Sequence, residues 1–288
     1  MNWDDLRFFV ALARAGSLSE AARRLAADHT TVARRVGELE QALGLKLFDR
    51  MPRGWVPTAE GAALAERAAD VEAAIHAVAR FADGRSETID GRVSISAPPA
   101  LASLWLAPRL APLTRAHPGL TLDLIGDVAD ASLVRREADV ALRLRQPSDS
   151  GLIGRRIGDL RYGLYGARGL VEATAGEDLD FLGYDERLDG VPQQLWLRAR
   201  ARDRRIALVT NDLVTLLTAV RAGMGLAALP HVLAAADDGL VCLEEAEAAT
   251  RPIWLVVHPD LRRSARVRAV MDHLIEVTAP LRRPVVGA

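Results

Sequence analysis

The residues best equipped for chemistry gather near the start of the chain. Between Arg23 and Arg53, seven basic side chains (Arg23, Arg24, Arg34, Arg35, Lys46, Arg50 and Arg53) stand against four acidic ones (Asp28, Glu38, Glu40 and Asp49). That window carries +3 in a chain whose overall charge is −1. His29, Thr30, Thr31, Ala33, Arg34 and Arg35 open a segment reaching to about Leu43, in which Val32, Val36 and Leu39 recur at helical spacing. On such a helix His29, Thr30, Ala33 and Arg34 lie on the side away from those apolar residues. The chemistry on offer is hydrogen bonding and positive charge. An arginine there can donate two N–H groups to O6 and N7 of a guanine, while a threonine hydroxyl and a histidine ring can reach base edges or phosphates. The free amides at the start of the helix also favour a phosphate. The same spacing is compatible with a three-helix bundle whose arginines are only solvated.

Other chemistries find little support. Cys242 is the sole cysteine, so neither an internal disulfide nor a cysteine-based metal site is expected. The six histidines (His29, His76, His117, His231, His258 and His273) show no ligand spacing, and no metal or cofactor is expected. Gly223-Met224-Gly225-Leu226-Ala227-Ala228 has the glycines of a dinucleotide fingerprint. Those glycines follow a helical pattern and precede a strand, the reverse of a phosphate-binding turn, and read as a helix cap. Asp237-Asp238 and Glu244-Glu245 read as surface acidic pairs that aid solubility. No supported nucleophile motif appears, so an enzyme is not expected.

The elements that must hold the basic window in place are legible around it. A helix is expected from about Trp3 to Arg14, with Leu6, Phe9, Val10 and Ala13 on one face and a stop at Gly16. Ser17-Leu18-Ser19-Glu20 reads as a reciprocal capping box for a short helix through Leu25. Ala26-Ala27-Asp28 makes a turn, with Asp28 as N-cap of the segment that starts at His29 and ends before Gly44. Together these parts suit a helix-turn-helix, whose second helix lies in the major groove. Leu45 to Phe48 and Trp55 to Val56 bracket a basic tip, a hairpin that would bring Arg50 and Arg53 to the adjacent backbone or minor groove.

Thr58 caps a longer helix to about Phe81. Its Leu64, Ala68, Val71, Ile75 and Val78 are spaced alternately four and three apart, a heptad seam suited to pairing with another helix as a dimer or tetramer. Packing back onto its own domain is the alternative. Asp83 to Gly91 reads as a linker, giving domains at 1–58, 59–90 and 91–288. Beyond Gly91, strands at Arg92–Ala97, Leu120–Ile125, Asp139–Leu144, Tyr162–Tyr165, Leu226–Leu229 and Ile253–Val257 alternate with helices near Leu101–Arg115, Ala129–Glu137, Asp212–Ala222 and Arg266–Thr278. That alternation predicts open α/β sheets of mainly parallel strands, long enough for two lobes.

The 288 residues, 50% hydrophobic and 26% charged, fit about two domains. The start, Met1 to Leu6, lacks the basic and apolar runs of a secretory leader. No apolar run approaches the roughly 18 residues that span a bilayer. A cytoplasmic location without membrane contact is expected.

Residues Trp3 to Thr58 resemble the DNA-binding domain of LysR-type transcriptional regulators. The likeness rests on Leu6-Arg7-Phe8-Phe9-Val10, Gly16-Ser17-Leu18, Ala21-Ala22-Arg23-Arg24-Leu25, Val32-Ala33-Arg34, Leu39-Glu40, Leu43-Gly44, Leu47-Phe48-Asp49-Arg50 and Pro57-Thr58, in order and without gaps. Departures at His29-Thr30, where the family often has glutamine then proline, and at Ala33, where it often has a small polar residue, bear on the operator sequence. The C-terminal region resembles the family's effector domain through Gly91-Arg92-Val93-Ser94-Ile95, Ala138 to Arg143, Ala219 to Ala227, Leu229-Pro230 and Ile253 to Val256.

The resemblance implies a winged helix-turn-helix with a linker helix, followed by a two-lobed α/β domain with the periplasmic-binding-protein fold. Lobe I would comprise about 91–161 and 262–288, lobe II about 162–261. It also implies double-stranded operator DNA and a small-molecule effector as partners, the latter bound between the lobes. The cleft candidates are then Pro98, Pro99, Ala100 and Ser103, with Arg143, Arg145 and Gln146, and from the second lobe Thr210, Asn211, Gly225 and Leu226. Arg143 and Arg145 suit a carboxylate. Pro98-Pro99-Ala100, where relatives carry serine or threonine, points instead to a more apolar ligand or to none. Two other readings stay open: a small-molecule-binding protein or enzyme built on the two-lobed domain, and a DNA-binding repressor that needs no effector.

Overall fold

Three helices, a hairpin and the start of a further helix are described in the first of two units, Met1–Phe81 and Ala82–Ala288, in the computed structural model, which describes residues 2–51, 54–68, 71, 89–127 and 138–282. Helix α1 (Trp3–Ala15) ends at Gly16, whose φ of 67° is left-handed. Helix α2 (Leu18–Leu25) starts at Ser17, whose hydroxyl accepts from the Glu20 amide at 3.3 Å. The reciprocal half of the expected capping box is redirected: the Glu20 carboxylate takes Arg24 at 3.1 Å and also Arg23. Ala26 closes the turn with φ at 49°. Helix α3 (His29–Leu43) starts at the expected cap, Asp28, and stops at Gly44 with φ of 67°. Phe9, Leu12, Val32, Val36, Leu39, Leu47 and Phe48 fill the core beneath these helices.

The wing is β1 (Phe48–Met51) and β2 (Gly54–Pro57), paired antiparallel with Arg50 opposite Trp55. It is anchored by backbone. The Trp55 amide donates to the Gly16 carbonyl at 2.8 Å, and a Cβ on Gly54 would lie 2.5 Å from that same oxygen. The Glu40 carboxylate on α3 accepts from the Leu47 and Phe48 amides at 2.7 and 3.2 Å. Arg35 ties α3 to α1, donating to Asp5 at 3.0 Å, and the Asp5 side chain is only 5% exposed.

The helix that follows, residues 59–68, is locked at its first turn. Thr58 Oγ1 donates to the Lys46 carbonyl at 2.7 Å and accepts from the Gly61 amide at 3.0 Å. A Cβ on Gly61 would fall 2.0 Å from the Leu47 carbonyl oxygen. The expected pairing seam is corrected at this end: Ala68 is 2% exposed within the N-terminal core, and Leu64 and Val71 are partly buried against it. Apolar faces cover the nearest available core, and here that core is the chain's own. Ile75 and Val78, and the linker at 83–88, lie outside the described residues.

In the second unit, β3 (Gly91–Ala97), β4 (Leu120–Gly126), β5 (Val140–Arg143), β6 (Ile153–Ala167), β9 (Ala227–Pro230) and β10 (Leu240–Val257) form one sheet. Its order is β4-β3-β5-β10-β6-β9. β3 runs parallel to β4 and β5, whereas β10 is antiparallel to β5 and β6, and β9 is antiparallel to β6. The expectation of mainly parallel strands is thus corrected. β6 and β10 are 15 and 18 residues long, far beyond the short apolar windows visible in sequence. Their remaining stretches, such as Arg155-Arg156 and Glu244-Glu245, carry charge at exposed or half-exposed positions and look like loop.

A second, parallel pair, β7 (Phe181–Tyr184) with β8 (Ile206–Thr210), meets the large sheet through a bridge from Phe181 to Leu226. Both strands went unread, as did the helix Pro192–Ala201. β7 is short and contains a glycine, and that helix carries arginines instead of a clean apolar stripe. The expected helix from Leu101 to Arg115 is broken into a wide π-helical turn, Leu101–Leu106, and two short pieces, Ala107–Arg109 and Ala111–Ala116. Pro108 and Pro112 lack the N–H groups that an unbroken helix needs. The helix expected near Ala129–Glu137 falls outside the described residues. Helices at Leu213–Arg221 and Ala265–Val277 sit where expected, and Gly223 caps the former with φ of 74°. Trp254–Val257 pairs with Arg143–Val140, so the end of β10 lies beside β5.

Two substitutions test this account. Gly→Ala in an open helix stabilises by about 1 kcal/mol; at Gly61 the sign should reverse, with a loss of about 1–3 kcal/mol from overpacking in urea unfolding of the full chain. Arg35→Ala should leave Asp5 buried beside an empty space and lower stability by about 2 kcal/mol. A variant as stable as the parent would remove Arg35 from its bracing role.

Candidate DNA interface and effector cleft

The first turn of α3 is organised by Asp28. Its carboxylate accepts from the Thr31 amide at 2.8 Å, the Thr31 hydroxyl at 3.0 Å and the Thr30 hydroxyl. The Thr30 hydroxyl foremost, then the Thr31 amide and hydroxyl, hold this carboxyl well below the usual carboxylate range. A fixed charge thus begins the helix, and His29, Thr30 and Arg34 stand exposed on its outer side with Ala33 half-buried between them. Arg34 reaches Glu38 at 2.6 Å, a surface pair of the kind that contributes little and can be exchanged for another partner. Arg50 lies on the wing with its guanidinium 4.7 Å from the Trp55 ring centroid. Arg53 is outside the described residues. Arg35, expected among the DNA contacts, is corrected: it faces α1 and is spent on Asp5. Sequence reasoning missed Glu40 and Trp55, the first bracing the wing and the second giving Arg50 its platform.

In the second unit a cavity of about 360 Å³ opens where β6 and β10 pass from one part of the sheet to the other. Between Ala246, opposite Tyr162, and Arg251, opposite Leu160, the register breaks. Tyr162, Leu160 and Arg251 all line the cavity. Pro98, Pro99 and Ala100, at the end of β3, line it as expected, as does Asn211. Asp212 beside Asn211 caps the next helix. Burial would raise its carboxyl, but hydrogen bonds from the Thr215 side chain and the Thr215 and Val214 amides outweigh that and hold it low.

Apart from Asn211, the polar groups of the cavity are not among the residues expected from the sequence. Burial pushes the Tyr162 hydroxyl up to about 12, against the charge of Arg251 and a hydrogen bond to it. The Tyr184 hydroxyl is also raised, first by burial and then by Tyr162. Gln194 fixes that strand end, accepting from the Tyr184 amide and donating to its carbonyl, both at 3.0 Å. Its neighbour Gln193 lines the cavity; its side chain hydrogen-bonds the Tyr184 hydroxyl, while among the described residues Gln193 Oε1 is buried without a hydrogen-bond partner. An arginine two-thirds of the way along an acidic strand gives no local signal that it faces a cleft.

Seven expected effector contacts lie elsewhere. The Ser103 hydroxyl donates to the Pro99 carbonyl at 2.9 Å, and Arg145 and Gln146 are exposed outside the lining. Arg143 is buried, donating to Ser96 Oγ and the Leu142 carbonyl at 3.0 Å each. Thr210 Oγ1 accepts from the Asp212 amide at 3.1 Å. Gly225 and Leu226 are buried in the second-lobe core, where the Leu226 amide donates to the Asp180 carbonyl at 2.8 Å.

Residues 3–62 match the family model described as bacterial regulatory helix-turn-helix protein, lysR family, and residues 86–279 match the LysR substrate binding domain. The chain is 32% identical over 283 residues to the Mau operon transcriptional activator of Paracoccus denitrificans, covering 97% of each. It is 28% identical over 295 residues to the HTH-type transcriptional regulator CrgA of Neisseria meningitidis, covering 96% of each. The solved structure of CrgA superposes with a TM-score of 0.55 at 26% identity, covering 96% of this chain and 98% of that one. Full-length AphB of Vibrio cholerae shares the fold, with a TM-score of 0.62 at 21% identity over 96% of this chain and 99% of that one. Among the described residues no helix is long and apolar enough to cross a membrane. Two family models together cover most of the residues, and the chain belongs to the LysR family of DNA-binding transcriptional regulators with an effector-binding domain.

Proposed function

We propose that this regulator reads its operator with the outer face of α3 and responds to a small anionic molecule bound against Arg251. For DNA, the carrying observation is the capped start of α3. Thr30 and Thr31 turn their hydroxyl protons toward Asp28, so they offer acceptor lone pairs suited to the amino groups of adenine or cytosine. Arg34 is the donor that discriminates guanine, and Arg50, with Arg53, holds the backbone. For the effector, the carrying observation is Gln193 Oε1, a buried acceptor without a partner in a cavity whose cation is Arg251. Such groups are satisfied by a ligand carrying an anionic group at one end and an N–H or O–H at another. A carboxylate meets this description, though through Arg251 and not through Arg143 or Arg145.

The regulator works without catalysis, in the cytoplasm where its operator lies, and self-associates through the helix that begins at residue 59. That helix places two recognition helices on a two-fold site.

Fluorescence anisotropy of the full chain with selected genomic fragments tests the DNA reading. Affinity should fall steeply with salt, and Arg34→Ala should lose about 1–3 kcal/mol while relaxing preference at one base pair. If Arg34→Ala discriminates operator from scrambled duplex as the parent does, Arg34 is not the reading residue. Thermal-shift screening with small carboxylates tests the cleft: a ligand that raises the parent's Tm should bind Arg251→Gln at least about tenfold more weakly. Stabilisation by no anion, with DNA binding intact, would favour a repressor that acts by occupancy alone.

A further inference from the structure

A second constellation sits on another of the irregularities of the β6–β10 ladder. Cys242 pairs with Tyr165 and Glu245 pairs with Gly163, while Leu243 is squeezed out between them. In an unbroken strand, residues three apart point to opposite faces. One extra residue cancels that offset, so the bulge returns Cys242 and Glu245 to the same face. His231, the first residue of the helix His231–Ala234, enters the slot that Gly163 leaves open. A Cβ on Gly163 would come within 2.7 Å of Cys242 Sγ and 2.8 Å of His231 Cε1. The ligating atoms of His231, Cys242 and Glu245 all lie within 4.8 Å of one another.

The histidine is held for ligation. Its Nδ1 is 2.7 Å from the Tyr165 hydroxyl, which fixes the ring. Its Nε2 is buried and makes no hydrogen bond, yet a Glu245 carboxylate oxygen stands 2.7 Å away, out of line for one. A cation shared between that nitrogen and that carboxylate would satisfy both. Glu244, the other acid of the pair, is taken by Arg200 at 2.6 Å and points elsewhere. Counting thiols along the sequence argued against any cysteine-based metal site; the bulge is what assembles one from a single thiol.

We propose that His231 Nε2, Cys242 Sγ and the Glu245 carboxylate bind a divalent transition ion, zinc foremost, with Tyr165 positioning the imidazole. Mixed nitrogen, sulfur and oxygen donors suit zinc, whereas magnesium and calcium take oxygen ligands. Three protein ligands leave a fourth position for water, and the exposed Cys242 and Glu245 give the ion a way in. Binding exchanges the Cys242 thiol proton for a metal–sulfur bond, the proton passing to solvent.

The test uses the full chain freed of metal and titrated with Zn²⁺ against a chelating dye, then with Co²⁺ as a spectroscopic probe. The parent should bind one equivalent per chain, and its Co²⁺ form should show thiolate-to-metal charge-transfer absorption. Cys242→Ser and His231→Gln should each weaken Zn²⁺ binding at least about tenfold, Gly163→Ala should do so by filling the slot, and Tyr165→Phe should weaken it about tenfold through ring orientation. Glu245→Gln, at an exposed position, serves if His231→Gln fails to fold. Equal Zn²⁺ affinity in the parent and Cys242→Ser, or a Co²⁺ form without the thiolate band, would overturn the assignment.

Discussion

The second unit depends on one hydrogen-bonded ladder, the antiparallel pairing of β6 with β10. It runs from Leu240 opposite Ala167 to Val257 opposite Ile153, and so supplies strands to both parts of the sheet. Backbone pairing over that length satisfies amide and carbonyl groups that would otherwise be buried unpaired. It also limits how the lobes can part, because bonds on both sides of the crossing hold the same two strands together. Residues 247–250 of β10 and Arg161 of β6 stand outside the register at the crossing. The cavity forms there, and the cluster of His231, Cys242 and Glu245 forms at another lapse, around Leu243. Regular pairing supplies the frame, and two of its three lapses supply a place for side chains to converge.

The first unit is governed by close backbone approach. Gly16, Gly54 and Gly61 are the points where helix, wing and following helix come within contact of one another's carbonyls. Around these contacts the charged residues divide into two roles. Arg35, Glu40 and Asp28 are consumed by structure: a tie to α1, a brace for the wing and a cap for α3. Arg34 and Arg50 remain outward, held by a surface pair and by the Trp55 ring. Proximity in sequence therefore says little about role, since Arg34 and Arg35 are adjacent, yet the first is exposed and the second is turned to Asp5 on α1.

Local signals were legible and long-range ones were not. The three N-terminal helices, their caps at Ser17 and Asp28 and their stops at Gly16 and Gly44 follow from short-range chemistry, and the structure has them where that chemistry puts them. The end of β3 at Pro98-Pro99-Ala100 was likewise found as cavity wall. Arg251, Tyr162 and Gln193 were not, because each lies in a strand or helix whose outward neighbours carry no special pattern and whose meeting is set by the ladder register. The error at Arg143 has the same root: a short strand with four buried residues turns even its arginine inward, onto Ser96. At Ala68 the expected pairing seam is instead buried in the helix's own domain, because heptad spacing does not say whether the complementary surface is a second chain or that domain.

The Glu40 brace bears on how nucleic acid is engaged. One carboxylate, rooted in the last turn of α3, accepts the two amides that lead into β1, so the recognition helix and the wing are fastened at their shared corner. Groove-reading and backbone-gripping surfaces therefore arrive already mutually oriented. Little conformational freedom is left there to be surrendered at the moment of docking, and discrimination among sequences falls to the bending of the duplex and to the few long side chains that still move.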